Sequence, residues 1–204
     1  MGGQATSVLT DAIEFALERH RGQVRKGTNI PYILHPLNVG YILLQHGCSE
    51  EVAVAGFLHD TLEDTVTTVE ELRQRFGERV AWLVQQVTET DRSQPWEERK
   101  RHTVERLRQV EDREVLLVAC ADKLDNLQMM REGIRVYGTE LWERFKAPLP
   151  AQRWYYTTLA ELFCQRLTAE PGATLAMRTM EVVRQVFADY VPPSGDTPED
   201  ASRR

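Results

Sequence analysis

Apolar residues recur along the chain with helical spacing, and no stretch alternates apolar and polar residues for long enough to predict a β-strand. Two segments, residues 50–62 and 112–130, are apolar through their centres, which is typical of helices in the interior of a bundle. We therefore predict an all-α fold with a single domain. The predicted helices cover residues 11–21, 35–46, 50–62, 68–76, 78–88, 95–109, 112–130, 151–167 and 173–188.

Three segments lie outside this pattern. Residues 22–31 carry basic side chains and a Gly-Thr-Asn turn, which indicates a loop. Residues 132–150 are less regular, and the sequence leaves open whether they form a lid over a site. Residues 191–204 are polar and proline-rich, so we predict a domain over 1–190 followed by a disordered tail.

Composition narrows the classes of function. The net charge of −6 gives no reason to expect nucleic-acid binding. The basic stretch at residues 99–101 follows two acidic residues and is interpreted as a solvated helix face. No apolar run approaches the roughly 18 residues of a membrane span. The three cysteines are far apart and form no CxxC motif, which favours a reducing, cytoplasmic location. The oligomeric state stays undetermined.

The residues that indicate chemistry stand at the end of the first apolar segment. His59 and Asp60 are followed by Glu63 and Asp64, so that each member of the first pair lies four residues before a carboxylate. On a helix such pairs are neighbours on one face. One turn then presents an imidazole and three carboxylates, and like charges this close repel one another unless a cation holds them.

Two more candidate ligands come from other parts of the chain. His35 stands at a predicted helix start, and Asp122 lies towards the far end of the second apolar segment. With His59 and Asp60 they form a mixed imidazole and carboxylate set, which suits Mn²⁺, Fe²⁺ or Zn²⁺ better than Ca²⁺. Four protein ligands on an octahedral ion leave positions for water and a phosphate oxygen. The other histidines are interpreted as structural: His20, His46 and His102.

Three longer motifs resemble the RelA/SpoT-type (p)ppGpp hydrolases of the HD superfamily. They are HRGQVRKGTNIPYILHP at residues 20–36, LHDTLEDT at 58–65 and ADKLDNL at 121–127. The similarity runs from about residue 8 to about residue 165 and is closest to the small, stand-alone alarmone hydrolases. The resemblance implies an HD-domain helical bundle that binds a small nucleotide and releases pyrophosphate from its 3′ position.

The resemblance also implies roles for individual residues. His35, His59, Asp60 and Asp122 match metal ligands, usually of Mn²⁺, and Glu63 and Asp64 match an acidic pair that orients or activates water. The substrate contacts that it implies are Arg25, Lys26, Thr28, Asn126 and Tyr156.

The chain departs from the family pattern near the implied substrate pocket. Gln128-Met129-Met130 stands where an Arg is usual, and residues 132–150 form a longer segment than in the compact members. Two alternatives therefore stay open beside guanosine alarmones. One is the same chemistry on (p)ppApp, NADPH or a nucleotide monophosphate, and the other is a nucleotide sensor without catalysis.

Overall fold

The computed structural model describes residues 7–26, 28–89 and 93–188, and this part of the chain is helical with no β-strand. A single isolated β-bridge, Val24 to Pro31, closes the loop after the first helix. The elements are α1 (Val8–Arg19), α2 (Leu34–Gln45), α3 (Glu50–Leu58), α4 (Thr61–Asp64), α5 (Val69–Phe76), α6 (Glu78–Val87), α7 (Trp96–Gln109), α8 (Arg113–Tyr137), a 3-10 helix (Gly138–Arg144), α9 (Leu149–Arg166) and α10 (Gly172–Val186).

Polar side chains define where several helices begin. Ser49 accepts a hydrogen bond from the backbone N–H of Val52 and starts α3, and Asp112 accepts one from Glu114 at 2.9 Å and starts α8. Each of these caps satisfies a backbone donor that has no partner inside its helix. The helix that leads into His59 and Asp60 and the helix that carries Asp122 therefore have well-defined starts.

The core is built around α3 and α8. Every residue of α3 from Val52 to Leu58 is buried, and α8 is buried without interruption from Val115 to Ala121. α3 packs against α1, α2, α6 and α8, while α8 also packs against α2, α9 and α10. The prediction of an all-α bundle with these two segments at its centre is confirmed.

A close approach between α2 and α3 sets the geometry of one end of the bundle. A Cβ added at Gly40 would lie 2.4 Å from the ring of Phe57, and one added at Gly56 would lie 2.5 Å from Leu43 Cδ1 and 3.1 Å from the Cα of Gly40. Gly47, at a φ of +75°, reverses the chain between the two helices. The start of α2 and the end of α3 therefore lie side by side.

The largest differences between the predicted and the observed helix boundaries lie at the ends of the two apolar segments. The segment 50–62 is not one helix: α3 ends at Leu58, and α4 restarts at Thr61 after the turn at His59 and Asp60. The second apolar helix does not stop near residue 130 but continues to Tyr137, because its buried side continues through Leu127 and Met130 and Ile134 packs on the core. The predicted tail, residues 191–204, and the boundary at residue 190 lie outside the described residues.

A search of the described residues finds no helix with the length and apolar character needed to cross a membrane.

Replacing Gly56 by Ala is expected to lower the free energy of unfolding by about 1–3 kcal/mol, because the added methyl group overpacks the contact between α2 and α3. The denaturant midpoint measures the loss. Gly133→Ala is the matched control: it has the same gain in helix propensity, but its Cβ meets the flexible end of Leu141, 2.8 Å away at Cδ1. Equal midpoints for the two variants would contradict this account of the packing.

Candidate metal centre and nucleotide cavity

Two imidazoles meet where α2 begins and α3 ends. His35 lies in the first turn of α2 and His59 directly follows α3, and their ring centroids are 5.0 Å apart. Both residues are 4% exposed, although imidazole is a polar group that is costly to bury without partners. The antiparallel packing of α2 and α3 thus joins two histidines that are 24 positions apart in the sequence.

Two carboxylates complete the cluster. Asp60 follows His59 in the turn before α4, and its Oδ2 lies 3.0 Å from His59 Nε2 and 3.5 Å from His35 Nε2. Asp122 reaches in from α8, with its Oδ1 3.3 Å from His35 Nε2 and 4.0 Å from His59 Nε2. Candidate ligand atoms of His35, His59 and Asp60 all lie within 4.8 Å of one another, a spacing that fits one shared ion.

Hydrogen bonds on the far side of each ring turn Nε2 towards the cluster. His59 Nδ1 donates to the carbonyl of Gly56 at 2.8 Å, and His35 Nδ1 donates to Asp125 Oδ2 at 2.6 Å. In a neutral ring the other nitrogen is then an acceptor with its lone pair outward. His59 Nε2 is buried and makes no hydrogen bond within the described residues. Acceptor nitrogens that face carboxylate oxygens are a donor set that fits a divalent cation.

The electrostatics of the cluster favour positive charge. Burial disfavours a charged imidazole at His59, but the carboxylates of Asp60 and Asp122 outweigh it and raise the pKa of His59 to about 9. Burial likewise opposes ionisation of Asp122, yet Lys123 and the two imidazoles hold the pKa of its carboxyl well below the usual range. The carboxylates therefore stay ionised in a buried place, as metal ligands must.

Four residues form an outer layer around these candidate ligands, and only two of them were singled out from the sequence. Asp125 accepts from Asn38 at 2.9 Å and from Arg25 at 2.8 Å, in addition to its bond with His35. Arg25 also donates to Asn126 Oδ1 at 3.0 Å, and Asn126 donates to Asp122 Oδ1 at 2.6 Å. Asp125 lies three residues after Asp122, so the helical spacing already placed it on the same face.

Tyr32 is a further group that sequence reasoning missed, although it lies inside the first motif. Its hydroxyl donates to Asp60 Oδ2 at 2.5 Å and lies 3.2 Å from Asp64 Oδ2. Burial and the negative charge of Asp60 both raise the pKa of this phenol, so it stays a donor. Tyr32 thus links the candidate ligand Asp60 to the predicted acidic pair.

The predicted acidic pair, Glu63 and Asp64, lies on the short helix α4 and lines the cavity beside the cluster. Glu63 Oε2 accepts a hydrogen bond of 3.2 Å from the backbone N–H of Glu89. The carboxylate of Glu89 is in turn paired with Arg99 and Lys100. The end of α6 and the start of α7 therefore support the position of Glu63.

All eleven residues predicted for the site line one cavity of about 1450 Å³. Lys26 is exposed at its rim, and Thr28 is half-buried and donates through its hydroxyl to the Arg25 carbonyl at 2.9 Å. Tyr156 is buried on α9 and also lines the cavity. The volume exceeds the roughly 300–1,000 Å³ of ordinary ligand pockets and is large enough for a nucleotide with several phosphates.

Basic side chains surround this cavity although the whole chain is acidic. They include Arg99 and Lys100, which turn inward and pair with Glu89, while Arg101 is exposed. The interpretation of residues 99–101 as a solvated face therefore holds for Arg101 alone. The pairing could not be predicted from the sequence, because Glu89 lies ten residues before Arg99, just beyond the end of another helix. Other cationic residues in the wall are Lys26, Lys123, Arg144 and Lys146.

Comparison with known proteins identifies a family and several relatives of this chain. Residues 12–151 match the HD domain family. An Aquifex aeolicus protein named guanosine-3′,5′-bis(diphosphate) 3′-pyrophosphohydrolase is 46% identical over 128 residues, which are 62% of this chain and 18% of that protein. The Danio rerio protein of the same name, MESH1, is 45% identical over 131 residues, which are 63% of this chain and 72% of that protein.

A solved structure agrees with these matches. It is described as a metazoan ortholog of SpoT that hydrolyzes ppGpp, and it superposes with a TM-score of 0.71 at 29% identity over 90% of this chain and 98% of its own. The fold and the sequence identity point to the same relatives. The chain belongs to the HD-domain family, in the group of small hydrolases that includes the MESH1 proteins.

Proposed function

We propose that this protein is a Mn²⁺-dependent 3′-pyrophosphohydrolase that converts (p)ppGpp to GDP or GTP and pyrophosphate. The observation that carries the proposal is a cluster of two buried imidazoles and two partly buried carboxylates in the wall of a large cavity with many basic side chains. Such a cavity suits an anionic substrate with several phosphates. The names of the relatives supply the substrate class and the bond that is cleaved.

The four residues proposed to hold the metal ion are His35, His59, Asp60 and Asp122. Their mixed nitrogen and oxygen donors suit a divalent transition metal, and Mn²⁺ accepts carboxylate oxygens readily. When bound, the ion would polarise the phosphoryl oxygen and lower the pKa of the attacking water. The protein contributes fixed ring orientations and ionised carboxylates, which reduce the reorganisation needed at the moment of reaction.

The chemistry proposed for the acidic pair is proton transfer. Glu63 and Asp64 lie beside the cluster on α4, and a carboxylate in this position can accept a proton from water. The water oxygen forms a bond to the phosphorus next to the ribose 3′ oxygen, and the bond between that phosphorus and the 3′ oxygen breaks. Pyrophosphate leaves, and the 3′ oxygen takes up a proton to become the hydroxyl of GDP or GTP.

Substrate orientation is proposed to come from both sides of the cavity. Arg25, Lys26 and Thr28 lie in the loop after α1, Asn126 on α8 and Tyr156 on α9. Lys123 and Lys100 add positive charge to the wall between them. Side chains fixed on separate helices position the scissile bond, and positioning supplies much of the rate in phosphoryl transfer. We place the activity in the cytoplasm, which the three free cysteines favour.

Purified protein with Mn²⁺ and ppGpp is expected to release pyrophosphate, and EDTA is expected to abolish the release because the cluster then lacks its cation. Chromatography that separates pyrophosphate from orthophosphate measures the products. Parallel reactions with ppApp and NADPH separate the alternatives. Release of pyrophosphate from ppApp alone would change the proposed base specificity from guanine to adenine. Release of orthophosphate from NADPH would replace the proposed reaction with phosphate removal. Tight nucleotide binding without any product would support a sensor.

Replacing Asp122 by Ala is expected to abolish both metal binding and turnover, because it removes a ligand oxygen 3.3 Å from His35 Nε2. Calorimetric titration with MnCl₂ and the pyrophosphate assay check the two effects separately. A variant that retains full turnover would refute the assignment of Asp122 to the metal centre.

Replacing Glu63 by Gln is expected to lower kcat by about 10²- to 10⁴-fold, the usual contribution of a general base, while Mn²⁺ affinity stays close to that of the wild type. The matched control is Glu14→Gln, on the exposed side of α1 and remote from the cavity, which should keep wild-type kcat. An unchanged kcat in Glu63→Gln would assign the proton acceptor elsewhere.

A further inference from the structure

The outer layer of the metal cluster contains a buried ion pair between Arg25 and Asp125, of which the proposed function uses only Arg25, as a substrate contact. Arg25 and Asp125 are 7% and 3% exposed, and Arg25 Nη1 lies 2.8 Å from Asp125 Oδ2. Removing two opposite charges from water costs several kcal/mol, which only close geometry and further hydrogen bonds can offset. We therefore expect a buried ion pair at the edge of the candidate metal centre to have a function there.

The hydrogen bonds of Asp125 indicate what that role is. The oxygen that meets Arg25, Oδ2, is also the acceptor for His35 Nδ1 at 2.6 Å, while Oδ1 accepts from Asn38 at 2.9 Å. The carboxylate is therefore fixed by three donors, two of which lie on α2 and one in the loop before it. With Nδ1 held as a donor, His35 must present Nε2 to Asp60 and Asp122.

Arg25 extends the same constraint to a second ligand. While Nη1 holds Asp125, Nη2 donates to Asn126 Oδ1 at 3.0 Å, and Asn126 passes a hydrogen bond of 2.6 Å to Asp122 Oδ1. A guanidinium is planar and presents its donors in a fixed fork, so it sets the spacing of two acceptors at once. An ammonium group has no such fork.

We infer that Asp125 and Arg25 are positioning residues of the metal centre, in which Asp125 orients His35 and Arg25 locks both Asp125 and the Asn126–Asp122 contact. This inference rests on the metal centre of the proposed function, and it gives Arg25 a role that does not depend on the nucleotide. Carboxylates that hold a ligating imidazole in place commonly strengthen metal binding by about 10- to 100-fold.

The test is Mn²⁺ affinity without nucleotide, measured by calorimetric titration of the full chain. Asp125→Ala should weaken binding by about 10- to 100-fold. Asp125→Asn should rescue part of the loss, because its amide oxygen can still accept from His35 Nδ1, and Asn38 can flip its own amide to meet the new NH₂ group. Arg25→Lys should also weaken Mn²⁺ binding, although no nucleotide is present. At saturating Mn²⁺ the variants at Asp125 should recover most of the wild-type kcat.

Leu117→Ala is the control for a general loss of stability, since Leu117 is buried on α8 and lies away from the network. It should lower the melting temperature in EDTA and leave Mn²⁺ affinity unchanged. Wild-type affinity in both Asp125→Ala and Arg25→Lys would overturn the inference and leave the metal centre intact. Failure of the wild-type protein itself to bind Mn²⁺ would overturn the metal centre and this inference together.

Discussion

The close contact between α2 and α3 is the constraint on which the site depends. Gly40 and Gly56 let the two helices approach until added methyl groups would collide, and Gly47 lets the chain reverse between them. This packing brings the start of α2 next to the end of α3, so that His35 and His59 face each other. Small residues that take no part in the proposed chemistry thus set the distance between two candidate ligands.

The positions of the charged side chains matter more for the site than the net charge of the chain. The chain is acidic overall, but the wall of the cavity holds both a group of carboxylates that includes Asp60, Glu63 and Asp122 and a group of basic side chains. The first group attracts a cation and the second attracts phosphates. Lys123 connects the two groups, because it is a basic side chain of the cavity wall that pairs with Asp122, and the charge of Asp122 keeps the pKa of Lys123 well above the ordinary value despite desolvation.

Local sequence predicted the parts of the fold and site that depend on neighbours in the chain. The two apolar helices followed from periodicity, and the grouping of His59 and Asp60 with Glu63 and Asp64 followed from their adjacency in the sequence. The end of α3 at Leu58 and the turn at His59 and Asp60 did not follow, because neither Gly nor Pro marks them. Arg99 and Lys100 were misread since their partner, Glu89, approaches through tertiary packing. Asp125 had a usable signal in its spacing from Asp122, whereas its contact with His35 depends on how α2 lies across α8.

The packing of α10 indicates how much of this chain the HD-domain fold requires. The HD match stops at residue 151, yet α10 begins at Gly172 and lies along α8 on its side away from the cavity. Three contacts join the two helices: Gly172 with Leu117, Thr179 with Cys120 at 3.3 Å, and Gln185 with Arg131 through a hydrogen bond. A fragment cut at residue 151 would expose this apolar side of α8 to water. The helix that presents Asp122 would then lose the helix packed against it, so any domain swap or fusion should carry α9 and α10 along with the three sequence motifs.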